Sequence, residues 1–212
     1  TWGTAQPGVM DVWEDGGQLV LTPPAGEKAY LESASINAYD FVLQFHLGFD
    51  PPQGLSDPDK FATLALDFRG YPGIAGYAFH LILKGSAEDT YAWKLTGGDQ
   101  ELSGTTTLFQ PGQDHLVSLI YRDDQCAILV NHQVLTYFRG SQHNGTLNRI
   151  GAWTEQGTLK VSLDDLKFWN LGDEAAPTPA PTDTAATPAP TAAAAAPWVA
   201  NFAQPILEQI SQ

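Results

Sequence analysis

The hydrophobic residues of this chain recur, over most of its length, in steps of two. Phe41, Leu43, Phe45, Leu47 and Phe49 alternate with Val42, Gln44, His46 and Gly48; Leu64, Leu66 and Phe68 alternate with Thr63, Ala65, Asp67 and Arg69; Tyr77, Phe79, Leu81 and Leu83 alternate with Ala78, His80, Ile82 and Lys84. Successive side chains on a strand point to opposite faces, so this period predicts strands buried on one side. Further strand signals fall at residues 9–13, 18–22, 91–95, 115–121, 126–130, 133–137, 150–154 and 159–171, and nothing in residues 1–172 has a helical period. Many short strands separated by turn residues predict an all-β, two-sheet antiparallel sandwich over residues 1–172.

Two local irregularities sharpen that expectation. Asn131-His132 lies between CAILV and QVLTY, the two-residue spacing of a tight hairpin, and Asn tolerates the positive φ such a turn demands. Towards the end of the body, Leu159, Val161 and Leu163 share one parity while Leu166 and Phe168 share the other. One residue is extra, and Asp164-Asp165 is the expected bulge.

After Gly172 the composition changes. Residues 173–197 contain no aromatic, no aliphatic larger than Ala and no basic residue, but six prolines, so this stretch is read as a linker unable to bury a core. In polyproline II, at ~3.1 Å per residue, it reaches about 75 Å, against a radius of gyration of about 16 Å for the preceding body. Apolar character returns over residues 198–212, where Trp198, Phe202, Ile206 and Ile210 recur every four positions with Val199 and Leu207 beside them. That stripe predicts a short docking helix, which Pro205 is expected to kink or divide. A helix this short is marginal alone and orders only against a surface; the expected surface is a neighbouring copy of the chain.

Charge and composition exclude several functions. At 212 residues and 22.9 kDa the chain fits one domain with an appendage. Ten Lys+Arg against 24 Asp+Glu leave a net charge of −14, which repels phosphate backbones, so no nucleic-acid partner is expected. No apolar run approaches the roughly 20 residues of a bilayer span, and no membrane insertion is expected. Cys126, the single cysteine, excludes an intrachain disulfide. The chain opens on Thr1 without a basic-then-apolar leader, which suits a processed secreted protein and a trimmed chain equally.

The run HLVSLIYRDDQCAILVNHQVLTYF, then GTLNRIGAWTEQGTLKVSLDDLKFWNL, preceded by FRGYPGIAGYAFHLILKG and YAWKLTGG, resembles the concanavalin A-like jelly rolls of the laminin G-like group and related bacterial domains. The resemblance spans residues 9–171. It sets Val130-Asn131-His132 on the group's "VNG" hairpin turn, without the Gly, and Leu163-Asp164-Asp165-Leu166 on its aliphatic-Asp-Asn-aliphatic step. It implies that the sandwich is a jelly roll, a fold shared by sugar binders, adhesion modules, structural modules and a few hydrolases.

Chemical candidates are sparse. No Glu-x-Asp-x-x-Glu string provides the carboxylates of a retaining glycosidase on this fold, and Asp164 and Asp165 are expected to be structural, so no enzymatic activity is expected. His46, His80, His115, His132 and His143 show no metal-binding spacing. Asp50, Asp57 and Asp59 lack the regular ligand spacing of a calcium loop, so no metal or other cofactor is expected. GDQELSG is read as turn chemistry. For a glycan, exposed aromatics beside polar groups are needed, and Asp67, Arg69, Tyr71, Tyr77, His80, Tyr91 and Trp93 are the candidates for one open sheet face. Trp13, Trp153 and Trp169 follow core-like strand patterns and are expected to pack. The leading expectation is a non-enzymatic extracellular or cell-surface module that self-assembles through Trp198, Val199, Phe202, Ile206, Leu207 and Ile210. The alternative is a carbohydrate-binding or adhesion module on a stalk, and a glycoside-processing enzyme ranks below both.

Overall fold

The computed structural model describes residues 2–4, 12–15, 18–33, 40–57, 59–70, 76–84, 90–98, 100–140, 147–171 and 203–210. In chain order its elements are β1 (Trp2–Thr4), β2 (Val12–Asp15), β3 (Gln18–Leu21), β4 (Lys28–Ser33), β5 (Phe41–Phe49), β6 (Ala62–Gly70), β7 (Tyr77–Leu83), β8 (Tyr91–Gly97), β9 (Gln100–Thr106), β10 (Asp114–Arg122), β11 (Gln125–Val130), β12 (Gln133–Arg139), β13 (Leu147–Thr154), β14 (Val161–Asn170) and helix α1 (Ala203–Ile210). The strands form two antiparallel sheets, β1-β4-β13-β6-β7-β8-β9 and β12-β11-β10-β5-β14-β3-β2. The all-β sandwich expected from the period of two is what the chain forms. The linker lies outside the described residues.

Three strands are additions to the sequence reading: β1, β4, and β9, which runs through the segment read as turn chemistry. Gly97 already pairs with Gln100, and Gln100–Thr106 pairs with β8 along its whole length. Between the sheets, Leu64, Leu66, Phe68, Phe79 and Leu81 of the first meet Leu43, Phe45, Leu47, Leu119 and Ile128 of the second, all buried. The slab is dense, with a void of only about 30 Å³ among Phe45, Leu66, Phe79 and Val117. Any ligand of ordinary size has to bind outside it.

Both predicted irregularities are present. Asn131 and His132 have φ of 48° and 64°, the left-handed pair of a type I′ hairpin. The β10–β11 turn repeats the device with Asp123 and Asp124 at 49° and 64°. In β14 the register against β5 shifts between Asp164 and Lys167, with Asp165 at φ 49°. Asp164 Oδ1 accepts the Asp165 N–H at 2.7 Å, so the bulge is held by its own side chain. It is what lets Val161 and Leu163, then Phe168, all face the slab.

The second sheet carries a further apolar layer on its outside. Trp169, Val42, Ile120, Ala127 and Tyr137 are register partners in one row across β14, β5, β10, β11 and β12. Helix α1 lies over this row. Ala203, Ile206 and Leu207 are buried against Val42, Ile120, Ala127 and Leu129, with Val134, Tyr137, Trp169 and Leu171 around them. The surface beneath α1 is therefore the chain's own second sheet, where the sequence reading looked to a neighbouring copy. The buried spacing is i, i+3, i+4, a face beside the expected stripe. Ile210 closes the helix; Trp198, Val199 and Phe202 lie outside the described residues. Pro205 does not kink α1. It is the third residue, in the first turn, where an N–H has no intrahelical acceptor anyway. Burying Ile206 and Leu207 is worth about 1.5–3 kcal/mol each, which offsets part of the cost of ordering so short a helix.

The hairpin yields a prediction. Asn131 Oδ1 accepts the Leu116 N–H at 2.9 Å while the Asn131 N–H donates to Leu116 O at 2.8 Å. Asn131→Ala should lower unfolding free energy in urea by about 1–2 kcal/mol. His132→Gly, which relieves a positive φ, should hold or raise it. Destabilisation by both alike would contradict the assigned turn.

Candidate functional site

The outer face of the first sheet follows from the same alternation. Inward residues of β4 (Ala29, Leu31) leave Lys28 and Tyr30 outward; Ile150 and Ala152 of β13 leave Arg149, Gly151 and Trp153; Leu64 and Leu66 of β6 leave Thr63, Ala65 and Asp67; Phe79 and Leu81 of β7 leave Ala78, His80 and Ile82. Register sorts them into three rows: Lys28-Trp153-Thr63-Ile82, Tyr30-Gly151-Ala65-His80 and Glu32-Arg149-Asp67-Ala78.

The middle row has a low floor of Gly151 and Ala65, with bulky groups around it. Tyr30 and Trp153, both half-buried, stand with ring centroids 6.5 Å apart and planes at 47°. Tyr30 leans over Gly151: a Cβ there would lie 2.4 Å from its Cδ1. His80 meets Trp153 edge-on at 5.0 Å and 88°. Lys28 Nζ sits 4.6 Å above the Trp153 ring, and the Arg149 guanidinium carbon 5.8 Å from the Tyr30 ring. Cations on ring faces hold the aromatics in place.

Asp67 lies at the bottom. Its Oδ1 is buried without a hydrogen-bond donor, with His80 Nε2 at 3.9 Å. Burial pushes its carboxyl up to about 6, against the opposing pull of Arg149 and Lys28. Tyr30 is pushed up to about 12 by burial and then by the Asp67 charge. His80 is held below its usual value by burial, then by Lys28 and Lys94, so at neutral pH its imidazole is uncharged and offers one donor and one acceptor. The face thus combines two half-buried aromatic rings, two cationic side chains, a neutral histidine and a carboxylate whose buried Oδ1 accepts no hydrogen bond.

Of the residues expected here, Asp67 and His80 are in place and the others are not. Tyr77 is fully buried, stacked on Phe68 at 5.3 Å with Phe138 at 5.1 Å. Tyr91 is buried edge-on to Phe49 at 5.9 Å. Trp93 shares their inward parity, half-buried against Phe79 and lying over Gly104. Arg69 has φ of 56°, which breaks the alternation of β6; its side chain is 4% exposed, with the guanidinium carbon 4.8 Å from the ring of Tyr121 on the opposite sheet. Tyr71 lies outside the described residues. Missed were Lys28, Tyr30, Arg149 and Trp153. Trp153 follows a core-like strand pattern, but its parity with Gly151, opposite to Ile150 and Ala152, places it outside. Trp169 is also outward, partly buried beside α1.

Other surfaces offer less. A polar groove of about 210 Å³ on the second sheet, among Gln18, Gly48, Asp114, Lys160 and Ser162, has no exposed aromatic wall. The acidic loop is tied by Asp57 Oδ1 accepting the Asp59 N–H at 3.0 Å. Among the described residues no three His, Cys, Asp or Glu side chains converge as metal ligands. No helix among them is long and apolar enough to cross a membrane.

The sequence matches no protein-family model and no curated protein. Solved structures do resemble the fold. A sialidase matches 80% of this chain with TM-score 0.59 at 14% identity, and this chain covers only 17% of it. The carbohydrate-binding module CBM66 from Bacillus subtilis matches 79% of this chain and 94% of its own length, with TM-score 0.53 at 12% identity. The marine PL7 alginate lyase AlyA1 from Zobellia galactanivorans matches 77% of this chain and 81% of its own, with TM-score 0.52 at 7% identity. At such identities the likeness establishes the fold alone: a jelly-roll sandwich consistent with the concanavalin A-like group.

Proposed function

We propose that this chain is a non-enzymatic carbohydrate-binding module of an extracellular or cell-surface protein, holding a glycan on the outer face of its first sheet. The observation that carries the reading is the Tyr30–Trp153 pair standing over the Gly151–Ala65 floor beside the unpartnered Asp67 Oδ1. A pyranose has an apolar face that stacks on an aromatic ring and hydroxyls that need donors and acceptors at its rim. Here the rings provide the first, and Asp67, His80, Lys28 and Arg149 the second. The carbohydrate-binding module CBM66 adds support, since that protein shares the fold over nearly its whole length. Helix α1 sits on the second sheet and leaves the platform uncovered by it.

The test is binding to a glycan panel, with calorimetry on the best ligand. Trp153→Ala and Tyr30→Ala should each weaken binding roughly tenfold or more, because a lost ring removes both stacking and buried area. Trp93→Ala should instead lower thermal stability and spare affinity. The ligand should be recovered intact. Binding that survives loss of both rings would reject the site, and turnover of the ligand would reject the non-enzymatic reading.

The Asp67 carboxyl sets a pH dependence. Its folded value of about 6 lies above the ordinary 3.8, so the folded state holds the proton more tightly than the unfolded chain. Its contribution to stability is therefore full below about 3.8, declines through the window up to about 6 and is lost above it. Comparing protein with and without Asp67→Asn cancels the other groups. The stability of the parent relative to the variant should fall by up to about 3 kcal/mol between pH 3.5 and pH 7. A hydroxyl donated to Asp67 favours the ionised form, so glycan affinity should rise across the same window in the parent and stay flat in the variant. Equal unfolding differences at both pH values would show that the carboxyl is not shifted.

A further inference from the structure

The seat of α1 has features that an ordinary terminal helix does not require. The apolar row from Trp169 to Tyr137 crosses five strands, about 19 Å at ~4.8 Å per strand, whereas the eight residues of α1 span about 12 Å. In the neighbouring row Lys167, Gln44 and Ser118 are polar on β14, β5 and β10, with Gln44 Nε2 donating to Ser118 Oγ at 3.0 Å, and Leu129 and Val134 continue the apolar surface on β11 and β12. Tyr137 closes one end, its hydroxyl donating to Gln125 Oε1 at 2.7 Å, and Trp169 the other. This is an apolar groove with aromatic ends, seating a segment with three buried anchors.

The connection to that segment is longer than the geometry needs. Leu171 packs in the same cluster as α1, so the two ends of residues 172–202 meet on one surface. The sequence between, residues 172–202, contains the proline-rich stretch with no aromatic and no aliphatic larger than Ala. A tether much longer than the gap it bridges gives its helix only a weak intramolecular advantage, an effective concentration of about millimolar order. Every copy carries the same groove and the same helix, so a helix seated on another copy makes the same contacts as one seated at home.

We infer that the groove formed by Val42, Ile120, Ala127 and Leu129 is a receptor for α1 of a second copy of this chain, and that the seat within one chain is the closed form of an exchangeable joint. Dilute protein is closed and monomeric. At high local concentration, as on a crowded surface, helices exchange and link copies through their second sheets. The inference is independent of glycan binding, because the platform occupies the opposite sheet.

Two full-length variants test it. Ile206→Asp with Leu207→Asp removes the anchors and leaves an empty groove. Ala127→Arg fills the groove, its guanidinium reaching water from an outward position, and leaves a free helix. Neither can close, yet each supplies what the other lacks. Each alone should be monomeric by light scattering, and an equimolar mixture at high micromolar concentration should double in mass to a one-to-one heterodimer. Thermal unfolding confirms that both sandwiches are intact. If Ala127→Arg does not fold, a synthetic peptide of residues 198–212 takes its place and should bind the empty-groove variant saturably and not the parent at micromolar concentration. A mixture that stays monomeric, a peptide that does not bind, or an empty-groove variant that dimerises with itself would each overturn the proposal.

Discussion

Because neighbouring side chains on a strand are sent to opposite faces, every residue that fills the slab commits the residues beside it to the outside. Leu43 and Phe45 in the interior fix Val42 and Gln44 on the outer face of the second sheet; Ile150 and Ala152 do the same for Gly151 and Trp153 on the first. The character of both outer faces is thus decided by the registers that close the core. One face receives a platform of rings and charges, the other an apolar row that demands a cover. Helix α1 provides that cover, so the molecule has a third layer over part of one side.

The places where the alternation is broken are as informative as those where it holds. The bulge at Asp165 rotates the end of β14 by one residue and returns Phe168 to the slab, where it stacks on Phe41 at 5.2 Å. At Arg69 a left-handed residue does the reverse, taking a cation off the polar face and setting it over Tyr121. Close backbone approach locks that conformation, since any Cβ on Gly76 would fall within 2.0 Å of Arg69 O. A continuous reading of parity through β6 carries Arg69 to the wrong side for this reason.

Much of the fold was legible because the long strands alternate cleanly, as β5, β6 and β7 do, and because Asn131-His132 and Asp164-Asp165 carry local turn chemistry. The site was less legible. Tyr77, Tyr91 and Trp93 are aromatic and close in sequence, but they share the parity of Leu81 and Leu95 and pack inside. Tyr30 sits on a short strand with only two inward apolar residues, too faint a period to stand out. The cover on the second sheet left a trace that reads clearly once parity is considered: AILV in β11 is apolar at both parities, which is the pattern of a strand buried on both faces. The tail's partner was visible there, in the body of the same chain.

Gly151 gives these arrangements a particular fragility. It sits in the middle of β13 with Ala29 O and the ring of Tyr30 against the position where a side chain would begin. Nothing in the slab depends on that outward hydrogen, so the core is indifferent to what replaces it. The ring is not: one added carbon would meet it at 2.4 Å and tilt it off the floor. A single methyl group at this position is therefore enough to displace the Tyr30 ring and redraw the outer surface of the first sheet.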